Sequence, residues 1–444
     1  MFKRKIYNAL LDWKEMYNGK YACLIEGARR VGKSTVAEAF AKNEYRSYIR
    51  VDFSEATNEM LDVFSDVANH DLFFNRLQLE TGITLYERNS CIVFDEVQLF
   101  PKARQAIKHL VADGRYDYIE TGSLLSIKKN VKGILLPSEE HKISMYPMDY
   151  EEFCWAAGEN YDLIREMFGK GISLGESTNR SLMRKYRIYL AVGGMPQAVS
   201  AYVNGENFAY IDSVKREIIA LYKDDLMKID ASGYTSAIFE SVPSQLALKR
   251  KRFVISQATN KRTTEKDWER LFDLLNSKTV IPCYHVANPA MSLSQTKELN
   301  YFKLYLADVG LFTTMLFHSS DKSREDIYKK LLSDKLSLDA GYLYENAVAQ
   351  TIVSSGKTPY YHTWEKPGST HSYEIDFLLN EGSKISPVEV KSAAVKRHES
   401  LNEFCRKYSA FIQNAYLISS KDVGKDGVIV MKPMYMSDVL MEKL

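Results

Sequence analysis

"GARRVGKST", Gly27 to Thr35, opens on a glycine, passes four residues and closes on Gly32, Lys33 and Ser34. The apolar run "YACLIEG" leads into it and "TVAEAFAK" continues with a helical pattern, so the spacing G-x-x-x-x-G-K-S falls between a strand and a helix. Glycine lets the backbone curl until successive amides point at a phosphate, and the amino end of the helix adds a favourable dipole. Gly27, Arg30, Val31, Gly32, Lys33, Ser34 and Thr35 are therefore the candidate nucleotide contacts. Lys33 is expected to reach the outer phosphates and Ser34 to ligate magnesium. No guanine-reading signature is present, which favours ATP as the nucleotide.

Downstream, "CIVFDEVQ" is an apolar strand that ends in adjacent acids. Asp95 is expected to hold magnesium through its water shell and Glu96 to orient or deprotonate the attacking water. "YIETGS" closes another apolar strand with Thr121 and Ser123, whose hydroxyls can reach the water or the terminal phosphate. From Tyr21 to about Tyr150, five apolar runs alternate with helical patterns, the rhythm of a parallel sheet covered by helices.

Beyond it the pattern divides the chain further. Residues 1–150 read as the nucleotide-binding core, 151–233 as a helical lid and 234–318 as a winged helix ending in "TVIPCYHV" and "YFKLYLADVGLF". Residues 319–340 read as a polar linker and 341–444 as a compact α/β domain. The 444 residues suffice for several cores, and 45% apolar with 26% charged residues is ordinary globular usage. A formal net charge of +2 excludes a protein basic all over but not one with a local basic patch. Five scattered cysteines suit buried thiols in a reducing compartment. No stretch approaches a membrane span or a secretory signal, so the expected location is cytoplasmic.

The local patch exists. Gln245 to Arg270 holds eight Lys or Arg, among them Lys249, Arg250, Lys251 and Arg252, against three acids. Within it, "TTEKDWERLFDLLNSK" has an amino cap at Thr264 and sets Trp268, Leu271, Phe272 and Leu275 on one helical face, expected to be buried. The outer face of such a helix can enter a major groove while flanking cations neutralise phosphates, so nucleic acid, specifically DNA, is the expected partner, with a protein partner as the other candidate.

In "YEIDFLLN", alternation puts Asp376 opposite Ile375, Phe377 and Leu379, and in "VEVK" Glu389 and Lys391 share a face. Upstream, "GYLYENAVAQTIVSSG" reads as a helix able to bring Glu345 over the same spot. The pattern is the acid-x-lysine signature of the restriction-endonuclease-like fold. Asp376 and Glu389 are the candidate metal ligands there, Lys391 positions water or stabilises phosphorus oxygens, and Glu345 is an outer ligand or orienter.

Taken in order, "GARRVGKST", "CIVFDEVQ", "ETGS", "YPMDYEEF", "VGGMPQAV", "YFKLYLADVGLF", "YENAVAQ", "EIDFLL" and "VEVK" resemble the AAA-type, STAND-related P-loop ATPases of bacteria and archaea with an uncharacterised carboxy-terminal domain. The resemblance spans nearly the whole chain. It implies an α/β fold class: an AAA-like P-loop parallel-sheet domain, a helical lid with winged helix, and a restriction-endonuclease-like α/β domain. It also implies that Gly194 and Pro196 approach the nucleotide base. Isoleucine, rather than proline, precedes Asp376, a departure from the family's pattern that leaves the chemistry possible. No transition-state arginine is identifiable by spacing, and oligomeric state is left open. The expected function is a magnesium-dependent ATP-hydrolysing switch coupled to a nuclease-like, DNA-directed domain. The alternative is a nucleotide-controlled protein-binding scaffold whose nuclease-like domain does not cut.

Overall fold

A computed structural model describes residues 1–17, 19–123, 138–317, 324–333, 341–392 and 398–444, with Ser123 and residues 324–327 described by backbone alone. The chain divides into two compact units, Met1–Tyr146 with Asn276–Lys278, and Pro147–Leu275 with Thr279–Leu444.

The first unit is built on β1 (Ala22–Gly27), β2 (Ser47–Asp52), β3 (Ser90–Asp95), β4 (Asp117–Ser123) and β5 (Glu140–Met145), all parallel, in the order β2-β3-β4-β1-β5. The five apolar runs of the sequence become these five strands. Their continuous apolar character follows from burial on both faces, as in β3, where every residue is buried. Ile49, Val51, Ile92 and Phe94 pack against Phe73, Phe74 and Leu77 of the helix His70–Thr81 and Leu110 of the helix Pro101–Asp113.

One polar cluster lies inside this unit. The Arg104 guanidinium forks onto Glu140 at 2.8 and 2.7 Å, and both side chains are buried. Glu120, fully buried on β4, has no hydrogen-bond donor on either carboxylate oxygen among the described residues. Burial first, then the Glu140 charge, holds its carboxyl well above the usual range, with Arg104 opposing. A carboxyl whose pKa is raised by folding contributes stability below its unfolded value, and that contribution is lost as pH rises toward the folded one. Glu120→Gln is therefore expected to raise stability at pH 7 to 8 by about 1–3 kcal/mol, with the gain vanishing near pH 4. Urea unfolding across that pH range, read from the first unit, checks the sign.

The second unit combines helices with one eight-stranded sheet, ordered β12-β13-β11-β10-β9-β8-β6-β7. Its strands are β6 (Val280–Val286), β7 (Lys297–Leu306), β8 (Tyr360–Glu365), β9 (Ser372–Glu381), β10 (Lys384–Lys391), β11 (Ala415–Ser419), β12 (Gly424–Asp426) and β13 (Ile429–Pro433). The sheet crosses the boundaries drawn from the sequence at 318 and 341. Helices Tyr234–Ala247, Ile255–Thr259 and Glu265–Asn276 precede a β6–β7 hairpin, the segment expected to form the winged helix. The hairpin is not a free wing, however: β6 pairs in parallel with β8, and Val286 and Leu293 share one core with Ile375, Leu378, Phe404 and Leu417. Between residues 151 and 233 the chain is helical as expected, yet these helices pack on the chain end. Tyr161 donates to the Tyr435 carbonyl at 2.9 Å and Arg165 pairs with Glu442 at 2.6 Å. The expected linker falls mostly outside the described residues; within it the helix Arg324–Leu332 is present.

The helix Glu265–Asn276 is rotated from its expected register. Leu271 and Leu274 are buried with Asp267 and Arg270, whereas Phe272 is 53% exposed. An ion-pair network explains the turn: Arg270 reaches Asp267 at 2.7 Å and Asp230 at 3.0 Å, and Lys261 reaches Asp267 at 3.3 Å. Two of the eight basic residues are thus committed to internal pairing. Cys23, Cys91, Cys154 and Cys283 are buried free thiols and Cys405 is half-buried. No described helix is long and apolar enough to cross a membrane.

Candidate functional site

The loop after β1 turns into the helix Lys33–Glu44 through Gly32, whose φ of 98° excludes most side chains. Gly27 is required for a different reason: a Cβ there would meet the Met145 carbonyl oxygen at 2.2 Å. Arg30 also takes a left-handed conformation, φ 69°, and Val31 is buried and accepts Arg4 on its carbonyl at 2.9 Å. Thr35 follows Ser34 in the first turn of the helix.

Lys33 is buried, its ammonium donating to the carbonyls of Gly27 at 3.2 Å and Ala28 at 2.8 Å. Burial lowers its pKa to about 8, against the opposing pull of Glu96 and Asp95. Asp95, 1% exposed at the end of β3, accepts the Ser34 hydroxyl at 2.7 Å and the Thr121 hydroxyl on Oδ1. Glu96 follows with φ 53°, a left-handed non-glycine residue, and accepts the Gln98 amide. Such a backbone persists only where neighbours enforce it and turns the Glu96 side chain away from the strand alternation. Ser123 ends β4 beside Gly27 in register, and its side chain lies outside the described residues.

One residue of this site escaped the sequence reading. Arg50, on β2, donates to Asp95 Oδ2 at 3.1 Å through Nε and pairs with Asp52 at 2.8 Å. The β2–β3 register, Arg50 beside Val93, brings it to the acid. Asp95 is thereby held by Ser34 and Thr121 on one oxygen and Arg50 on the other. Ser34 and Asp95 offer hard oxygen donors 2.7 Å apart, a donor set that fits magnesium.

The second constellation lies in the second unit. Asp376 on β9 is 9% exposed and accepts the Val390 amide at 2.8 Å, beyond the last β9–β10 pair, Phe377 with Val388. Glu389 on β10 is 4% exposed; Lys391 reaches its Oε1 at 2.6 Å, while its Oε2 is buried with no hydrogen-bond partner among the described residues. Glu345, from the helix Gly341–Ser354, accepts the Tyr305 hydroxyl at 3.3 Å. The structure therefore brings together the four residues selected from the sequence. Burial, then the Glu345 charge, pushes the Asp376 carboxyl well above its usual range, with Lys303 and Lys391 opposing. Burial pulls Lys391 down, but Asp376 and Glu389 outweigh it and the net direction is up.

Lys303, on β7, is the second residue the sequence did not disclose. It is buried, pairs with Glu374 and stands 3.8 Å from Glu345. Among the described residues, no group of three or more His, Cys, Asp or Glu side chains is arranged to hold a metal ion. What the second constellation offers a cation is the pair Asp376 and Glu389, with the orphaned Glu389 oxygen as the feature that fits one. Gly194, expected near the nucleotide, donates its amide to Asp308 at 2.6 Å within the second unit.

Residues 19–154 match the family described as AAA domain. Residues 183–322 and 340–432 match two families, each described as a domain of unknown function. A Walker-type ATPase of Pyrococcus abyssi superposes with a TM-score of 0.43 at 17% identity, covering 71% of this chain and 96% of that one. A signal transduction ATPase with numerous domains, bearing a tetratricopeptide repeat sensor, from Pyrococcus horikoshii gives 0.27 at 12% identity, covering 79% and 48%. Cdc6p of Pyrobaculum aerophilum gives 0.21 at 11%, covering 74% and 93%. No curated protein matches the chain. The chain carries a P-loop AAA-type ATPase domain.

Proposed function

We propose that the protein is a magnesium-dependent, ATP-hydrolysing switch whose nucleotide state controls a nuclease-like, DNA-directed site in its second unit. The observation that carries the first half is the hydroxyl of Ser34 on Asp95 at 2.7 Å, beside a buried Lys33 whose ammonium donates to two carbonyls of its own loop. Lys33 would exchange those carbonyls for the outer phosphates of ATP, whose negative charge favours the ammonium form that burial disfavours. Ser34 and Asp95 are the residues that would hold magnesium, which would supply charge neutralisation on the phosphates. Glu96, oriented by Gln98, takes the proton of the attacking water, and the Thr121 hydroxyl fixes the Asp95 carboxylate.

The second half is supported by the meeting of Glu345, Asp376, Glu389 and Lys391, and by the order helix, three antiparallel strands, helix and parallel strand from Gly341 to Ser419. Asp376 and Glu389 would hold a divalent cation that polarises a scissile phosphate, and Lys391 stabilises negative charge on the phosphorus oxygens. The Lys391–Glu389 ion pair also favours a second reading, a self-satisfied site in a nucleotide-controlled protein-binding scaffold.

The test is coupling. DNA binding and cleavage, measured with and without ATP and with divalent cations, are expected to change at least severalfold with nucleotide. Nucleotide-dependent capture of a protein partner, with no affinity for nucleic acid, would replace this reading by the scaffold.

A further inference from the structure

Lys303 is a buried cation set among acids, and neither half of the proposed function uses it. Its ammonium lies on Glu374, 3.8 Å from Glu345 and 5.4 Å from the centre of the Tyr361 ring. Burial pulls its pKa down, but the negative charges around it, Glu374 first and then Glu345 and Asp376, outweigh burial and the net direction is up. The side chain is therefore held as an ammonium.

The four acids of the region are divided by it. Glu374 and Glu345 serve Lys303, and the Tyr305 hydroxyl donates to Glu345 at 3.3 Å. Asp376 and Glu389 remain for a metal ion, Glu389 with one oxygen on Lys391 at 2.6 Å and the other buried with no hydrogen-bond partner among the described residues. The division accounts for the finding that, among the described residues, no three acids are arranged to hold one metal ion.

Charge sets the capacity. Four carboxylates facing the ammoniums of Lys303 and Lys391 leave a formal surplus of two negative charges, which one divalent cation cancels. A second divalent cation would leave an equal surplus of the opposite sign around Asp376 and Glu389, which are buried, where uncompensated charge is costly. Lys249 and Arg250 line the adjoining cavity but are exposed, so water and salt screen them. Sites that use two cations set them about 3.5–4 Å apart and share acids between them. Here the acids on one side are shared with an ammonium.

We propose that the Lys303 ammonium serves as the fixed second cation of this site, which therefore takes one divalent cation and not two. Lys303 belongs to the matched stretch 183–322 and the acids to 340–432, so the capacity of the site is set across the shared sheet. The proposal rests on the reading of Asp376 and Glu389 as cation ligands, and its test counts ions rather than turnover. Binding of manganese(II) to the full chain is measured by equilibrium dialysis without nucleotide. The ions lost on adding Asp376→Asn to each background report this site apart from Ser34 and Asp95. The parent is expected to hold one such ion. Lys303→Met, with its folding checked by thermal unfolding, is expected to hold two, and Lys303→Met/Glu374→Gln, which restores the parental charge, to return to one. Glu374→Gln alone leaves the ammonium to lean on Glu345 and Asp376 and is expected to bind the ion roughly tenfold more weakly.

Two ions on the parent would overturn the proposal and leave the nuclease-like reading standing, as would a folded Lys303→Met protein that still holds one. No ion lost with Asp376→Asn would overturn the proposal together with the cation-binding part of that reading. Should Lys303→Met not fold, the Glu374→Gln affinity decides, and a parental value there would overturn the proposal.

Discussion

Glu96→Gln is expected to bind ATP with near-parental affinity and to turn it over roughly 10²- to 10⁴-fold more slowly. Glutamine keeps the volume and one acceptor for Gln98, so the left-handed turn at Glu96 persists while the proton acceptor is removed. Lys33→Ala acts on binding as well as turnover. The ammonium is buried and bridges two loop carbonyls, so its loss removes the cation expected on the phosphates and frees the Gly27 and Ala28 carbonyls together. Phosphate release and equilibrium nucleotide binding, measured on both variants, separate the two roles. Parental hydrolysis by both proteins would remove Lys33 and Glu96 from the chemistry.

The second large effect is expected at β9 and β10. Asp376→Asn preserves an acceptor for the Val390 amide, so the end of the β9–β10 ladder stays closed while the carboxylate proposed to hold a cation disappears. Lys391→Met keeps most of the side-chain volume and removes the cation beside Glu389. Each is expected to lower divalent-metal-dependent cleavage of DNA roughly 10²- to 10³-fold. Assays on plasmid, linear, single-stranded and branched DNA and on RNA would show the loss on every substrate the parent cuts. Parental cleavage by either variant would assign the activity to another site, and a parent that hydrolyses ATP but cuts nothing would favour the scaffold.

The candidate nucleotide site was legible because most of its residues are local: a loop between a strand and a helix, and two acids at a strand end. Arg50 was not, since its position beside Asp95 depends on strand pairing that no local pattern encodes. The same holds with more force in the second unit. Asp376, Glu389 and Lys391 announce themselves on neighbouring strands, but Lys303 comes from β7, which reaches the site through β6 and β8. The buried face of the helix Glu265–Asn276 was misjudged because apolar periodicity carries no record of Asp230, whose partner Arg270 turns inward. The eight-stranded sheet was the largest feature missed. The segments of β6, β7, β9 and β10 read as strands alone, and the parallel pairing of β6 with β8 joins segments that composition separates.

That pairing bears on how this polypeptide can be divided. The stretches that match two different families, 183–322 and 340–432, share a sheet, so neither owns its hydrogen bonds outright. A fragment beginning near residue 340 would present β8 with one side of its ladder unpaired, an invitation to intermolecular strand addition. The two stretches are for that reason one structural unit. Shuffling one without the other would trade a folded protein for an adhesive one.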